Sequence, residues 1–267
     1  MARTEAGREL TVQHRLDQVL NSARVASDTE ALLELFDLGN IDGSAPEWMA
    51  AMVNLTRAGR TESMRLARQY LEEFSLVESG QKHRGIVTPM FDQRAALEGL
   101  RINGPVRMKA YIKQGFEPEE ALAKIYTAVA GDVMTTVMNA GRELHNESVR
   151  YFGRSGKYRR VTDGKPCAFC AMIASRGPVY SEVTKDFRVH DFCGCTSEQV
   201  FGEWVPNDEE ALWRASYKAA ALDADEWDQV RIAPKPDSLE EDTILWRMRR
   251  NSPGLFSDGV RNARKFP

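Results

Sequence analysis

All four cysteines of this chain lie between positions 167 and 195, and that clustering restricts the fold more than any other feature of the sequence. Cys167-Ala168-Phe169-Cys170 is a C-x-x-C knuckle, and His190-Asp191-Phe192-Cys193-Gly194-Cys195 supplies an H-x-x-C-x-C half. Two thiols separated by two residues can grip one ion from a single tight turn, and thiolate and imidazole donors in a small tetrahedral cage suit zinc. Cys167, Cys170, His190, Cys193 and Cys195 are five candidates for four positions, so one of the last three is expected outside the coordination sphere. Disulfides and catalytic thiol chemistry are the competing readings. The chain opens Met1-Ala2-Arg3 with no apolar signal segment, so synthesis in a reducing cytoplasm is expected, where stable disulfides are rare. A Cys-His hydrolase needs one thiol beside one base and has no use for three further sulfurs at chelating distance.

A chain of 267 residues with 42% hydrophobic content can build one large or two small domains. The net charge of −3 gives no global basic field of the kind that drives nonspecific nucleic-acid binding. The apolar runs fall short of the roughly twenty residues that cross a bilayer, so no membrane partner is expected.

Hydrophobic periodicity predicts a mainly α fold carrying a small β zinc-binding module, an α+β chain. The expected divisions are a helical region over 1–156, a zinc-stapled module over 157–205, and a helical C-terminal extension with a tail over 206–267. A first amphipathic helix over 6–26 carries Leu16, Val19 and Leu20 on one face, and Ser27-Asp28-Thr29-Glu30 reads as the capping box of a separate short helix ending at Gly39. A second capping box, Ser44-Ala45-Pro46-Glu47, opens a long pattern reaching Glu78, with Gly59 as a bend or a point of close packing. His83 falls in a polar loop and is expected in solvent. Two short helices follow, separated by Asn103-Gly104-Pro105. Glu117-Pro118-Glu119-Glu120 then starts a spine helix to Arg150, with Leu122, Ile125, Tyr126, Val129, Val133 and Val137 on one stripe.

At Tyr158 the period changes to that of a strand, and Asp163-Gly164 is a hairpin signal. Further strands at Val179-Tyr180 and Gln199-Val200-Phe201 would complete a zinc ribbon. Such a module has little apolar surface of its own, and bound metal would supply the missing stabilisation. Asn207-Asp208-Glu209-Glu210 opens a helix bearing Leu212, Trp213, Tyr217 and Ala220. The linker Ala233-Pro234-Lys235-Pro236 leads to a helix over 239–250 and an extended tail. Trp48 and Trp213 are expected in the core.

Arg150, Arg154, Lys157, Arg159, Arg160, Lys165 and Arg176 gather around the knuckle in a mildly acidic chain. They either offset the negative charge of a thiolate-bound ion or form a patch that meets DNA or an acidic protein surface; the absence of interleaved aromatics favours the first.

The run from Cys167 to Tyr180, followed by His190 to Cys195, resembles the Mu F-like minor head proteins of tailed bacteriophages, in the version found in phages of actinobacteria. Asn139-Ala140-Gly141-Arg142-Glu143 and Leu245-Trp246-Arg247-Met248-Arg249-Arg250 are similar as well. One departure is Thr196-Ser197-Glu198, where relatives often have proline shortly after the final cysteine. The resemblance implies a minor capsid protein of the virion, made in the bacterial host cytoplasm, associated with the portal or major capsid protein and close to packaged DNA. Its implied role is head assembly or DNA packaging and ejection. Relatives are often labelled head maturation proteases, which makes a Cys-His or otherwise hidden peptidase the alternative. Against it, His14, His83 and His145 lie in polar contexts without a neighbouring nucleophile, and there is no G-x-S-x-G elbow or H-E-x-x-H helix. A structural part is the expectation, not an enzyme.

Overall fold

A computed structural model describes residues 2–153, 156–162, 164–180, 187, 189–230 and 244–258. The chain is mainly α-helical with a small two-stranded sheet, the expected class, and divides into two units. One comprises Thr4–Arg154 with Asp186–Gly194, and the other Ser155–Lys185 with Cys195–Pro267 and the first three residues.

Three long helices form the first unit: α1 (Glu5–Leu32), α2 (Ile41–Ser79) and α5 (Pro118–Phe152). The predicted stripe of α5 is the centre of its core, with Ile125, Val129, Val133 and Val137 essentially inaccessible and packed with Trp48, Met52 and Val25. At the usual rise this helix is about 50 Å long. The breaker Asn103-Gly104-Pro105 becomes a kink between α3 (Gln93–Arg101) and α4 (Arg107–Lys113). Gly104 is required there, because a Cβ would stand 2.5 Å from the Trp48 ring.

Three local expectations change. The Ser27 capping box is not used: α1 runs through it, since burial of Val25, Ala26 and Thr29 holds those turns in register with the bundle. Helix α2 starts earlier than Ser44, with the Asn40 side chain accepting from the Gly43 N–H at 3.1 Å. Gly59 does not break it, and the reading of close packing holds, since a Cβ would fall 2.8 Å from Val25 and Val137 methyls.

The orientation of α1 is the larger surprise. Its aliphatic residues Val12, Leu16 and Leu20 face outward, and its buried face carries Thr11, His14, Gln18, Asn21 and Ser22. Polar groups are stable inside when hydrogen-bonded, as Thr11, Gln18, Asn21 and Ser22 are, whereas His14 stacks its ring on Tyr70 and leaves Nδ1 without a hydrogen bond. Thr11 Oγ1 meets Tyr70 Oη at 2.9 Å, Gln18 Nε2 donates to the Ser63 carbonyl at 2.8 Å, Ser63 Oγ donates to Gln18 Oε1 at 2.6 Å, and Asn21 Nδ2 donates to the Gly59 carbonyl at 3.0 Å. His83 is half-buried, with Nδ1 2.7 Å from the Gly85 carbonyl, where solvent exposure was expected.

The second unit pairs β1 (Tyr158–Val161) antiparallel with β2 (Thr196–Gln199), in the register Tyr158↔Gln199 to Val161↔Thr196. Asp163 of the Asp163-Gly164 signal lies outside the described residues; β1 takes its strand partner from beyond the cysteines. Tyr180 contributes one bridge to Tyr158, and the last strand lies earlier than the expected Gln199-Val200-Phe201. Helices α6 (Ala168–Ala174), α7 (Asp208–Val230) and α8 (Ile244–Asn251) share a core of Ala168, Ala171, Trp213, Met248 and Phe256. Trp48 and Trp213 are both buried, as expected. The segment expected to trail off after α8 turns back and buries Phe256. The 233–236 linker lies outside the described residues, as do the start of the expected 239–250 helix and the chain beyond 258.

Candidate metal centre

Helix α6 begins at the knuckle. Cys167 is its N-cap, in extended conformation, and its Sγ accepts from the Cys170 N–H at 3.4 Å. The Ala168 N–H donates to Asp258 Oδ1 at 2.8 Å, tying the first turn to the end of the described chain. One helical turn therefore sets the spacing of the two sulfurs. Cys195 enters from the residue before β2, and within this unit Cys170 Sγ lies within 4.8 Å of both Cys167 Sγ and Cys195 Sγ. Cys170 and Cys195 are buried and Cys167 is half-buried. Each of these two sulfur pairs lies at a separation that one thiophilic metal ion could bridge.

His190 and Cys193 belong to the short Asp186–Gly194 segment of the helical unit. They flank a turn in which the Cys193 N–H donates to the His190 carbonyl at 3.1 Å and Phe192 adopts a left-handed φ of 61°. This turn rests on α5 at Gly131, where a Cβ would lie 3.0 Å from Asp191 and Phe192 carbons. Arg142, buried in α5, donates from Nη2 to the Cys193 carbonyl and from Nη1 to Asn139 Oδ1 at 2.8 Å. Cys193 is buried, whereas His190 is exposed with Nδ1 2.7 Å from the Asp191 carbonyl. Burial raises the pKa of Asp132 on the adjoining stretch of α5; a hydrogen bond from Asn103 opposes this and the Asp191 charge adds to it.

The basic residues separate into two groups. Lys157, Lys165 and Arg176 are exposed, and Arg154 lies outside the described residues. Arg159 and Arg160 are buried on β1, so neither can belong to a surface patch. Arg159 Nε donates to Glu198 Oε1 at 2.7 Å, and its Nη1 donates to Glu210. Arg160 Nη1 stands 3.4 Å from Cys170 Sγ, Nη2 donates to Tyr180 Oη at 3.1 Å, and the guanidinium carbon lies 5.6 Å from the Phe169 ring centre. Burial opposes the charged form of Arg160, but the Cys195, Tyr180 and Cys170 charges and the Tyr180 hydrogen bond outweigh it and hold its pKa above the ordinary arginine range.

Sequence reasoning did not single out Arg142, Gly131 or Tyr180. Arg142 lies inside the Asn139–Glu143 likeness, a signal available without a structural role attached. A lone glycine in a helix carries no such signal, and Tyr180, at the end of the Cys167–Tyr180 likeness, reads only as a strand position. Among the described residues no helix is long and apolar enough to cross a membrane.

No curated protein and no solved structure matches the chain. A family model does: that of the VG15 protein, over residues 6–220, a span that includes the three long helices, both strands and every cysteine. By that match the chain belongs to the VG15 protein family, a viral gene family, and is to be regarded as phage-encoded.

Proposed function

We propose that this VG15 family member is a minor structural protein of a tailed-phage head, incorporated near the portal, with one zinc ion stapling its small β module. The observation that carries the staple is the position of Cys170 Sγ, within 4.8 Å of both Cys167 Sγ and Cys195 Sγ. Cys193, separated from Cys195 only by Gly194, is one source of a fourth ligand. His190 is the other candidate that the spacing of the motif offers. The head role is supported by membership of a viral family and by the likeness of the Cys167–Cys195 motif to Mu F-like minor head proteins. Portal or major capsid protein are the partners this reading implies. Lys157, Lys165 and Arg176, all exposed, are the basic residues this reading assigns to packaged DNA, through contacts that would be independent of sequence and sensitive to salt.

Metal analysis with thiol titration tests the staple. About one zinc per chain is expected, with thiols that react only after chelation. Metal-free protein with one fast-reacting thiol would instead move the peptidase alternative forward. Mass spectrometry of purified virions tests the head role: the chain should be present in few copies, and its absence from both virions and assembling heads would end that reading.

A further inference from the structure

Successive residues of a strand point to opposite faces, so Arg159 and Arg160 carry their charges into different environments. Both are buried, and a guanidinium cannot shed its proton to escape the cost of desolvation. Arg159 is answered by two carboxylates, Glu198 and Glu210. Arg160, with 0% exposure, is turned the other way, onto sulfur and the Tyr180 hydroxyl. An aliphatic residue would fill this space without any cost of burying charge, so a guanidinium placed 3.4 Å from Cys170 Sγ points to a role at the sulfur. Metal-bound sulfur would set negative charge directly beside it. A divalent ion held by three thiolates and an imidazole keeps one net negative charge, and one held by four thiolates keeps two.

We propose that Arg160 is the built-in counter-ion and positioning residue of the metal–thiolate cluster, its guanidinium holding Cys170 Sγ and offsetting the negative charge of the loaded centre. The inference rests on the metal-staple reading and goes beyond it by assigning to one residue of β1 the control of metal affinity. It also gives adjacent arginines separate tasks, Arg159 structural and Arg160 directed at the metal.

The experiment uses the full-length protein and zinc itself, with apparent affinity read by competition against a chromophoric chelator and fold checked by circular dichroism. Arg160→Met should weaken zinc binding by about 10- to 100-fold, the usual effect of losing an outer partner of a metal ligand. Arg160→Lys keeps the charge and should recover most of that loss. In cobalt-loaded protein, the methionine variant should also shift the sulfur-to-metal charge-transfer band, which a change in packing remote from the ligands would leave alone. Wild-type affinity in a folded methionine variant would overturn the proposal, as would a lysine variant no better than methionine. Wild-type protein that binds no zinc would instead overturn the staple reading beneath it. Should the methionine variant fail to fold, the wild-type guanidinium nitrogen resonances, assigned through Arg160→Lys, decide the matter. They should move when zinc is exchanged for cadmium, whose bonds to sulfur are longer, and resonances indifferent to the exchange would overturn the contact.

Discussion

At the scale of single residues, the most telling group outside the cysteines is the ring stack inside the helical unit. His14 lies parallel to Tyr70 with centroids 4.3 Å apart, and Tyr70 faces His145 at 5.7 Å. Burial first, and the nearby charge of His145 second, push the His14 pKa down to about 3. A histidine whose pKa is lower in the folded than in the unfolded chain leaves the unfolded state binding more protons between those two values. Stability is therefore complete above about pH 6.5 and falls as the pH drops from there towards 3, by an amount on the order of a few kcal/mol. Urea unfolding at stepped pH should show that slope in the wild type and a shallower one in His14→Phe, which keeps the stack without the titrating nitrogen. Equal slopes would mean that His14 is not buried in neutral form. Little in the sequence warns of this, because Leu16, Val19 and Leu20 supply the apolar face of the helix while Thr11, His14, Gln18 and Asn21 are polar. Their inward orientation depends on partners such as Tyr70, Ser63 and Gly59 that lie dozens of residues away.

At the scale of elements, two junctions carry the architecture. Gly141 of α5 crosses α1 and α2 so closely that a Cβ would stand 2.6 Å from Gln18 Nε2 and 2.7 Å from Ser63 Oγ. Gly141→Ala gains roughly 1 kcal/mol of helix propensity. It should lose more, about 1–3 kcal/mol from overpacking together with the Gln18–Ser63 hydrogen bonds, and a net fall in thermal midpoint is the expected reading. The second junction is the start of α7, where Asn207 and Glu210 cap each other: the Asn207 N–H donates to Glu210 Oε2 at 3.0 Å and the Glu210 N–H to Asn207 Oδ1 at 2.8 Å. The other Glu210 oxygen accepts from Arg159, which also binds Glu198, so one arginine ties β1, β2 and α7 together. Arg159→Met would strand two buried carboxylates and should cost about 3–5 kcal/mol, whereas Glu198→Gln leaves Glu210 to balance the arginine and should cost less. Near-UV circular dichroism from the buried Trp213 during denaturation would compare the two. The Asn207 cap was legible as a helix start; the second use of Glu210 was not, because it needs a strand folded against the helix.

At the scale of the whole molecule, the helical unit has a large core of its own, whereas the cysteine-bearing unit packs small alanines around Trp213, Met248 and Phe256. Chelation, or Cys170→Ser, should therefore erode the near-UV signal of Trp213 while most of the far-UV helical signal, supplied by α1, α2 and α5, persists. Loss of both signals together at the chelator concentration that removes the metal would contradict a metal that stabilises the small β module and not the helical core. What the sequence by itself determined is what short-range periodicity and spacing can encode: the stripe of α5, the close-packing glycine of α2, the knuckle at the head of α6, and the mainly α class with a small β element. The tertiary structure alone decided which face of α1 is inside, that β1 pairs across the cysteine segment and not with a local hairpin partner, and that two arginines of an apparent basic patch are internal counter-charges. The reason is common to all three. A polar or charged side chain goes wherever its charge and hydrogen bonds are satisfied, and the groups that satisfy these lie far away in the chain, where neither spacing nor local composition records them.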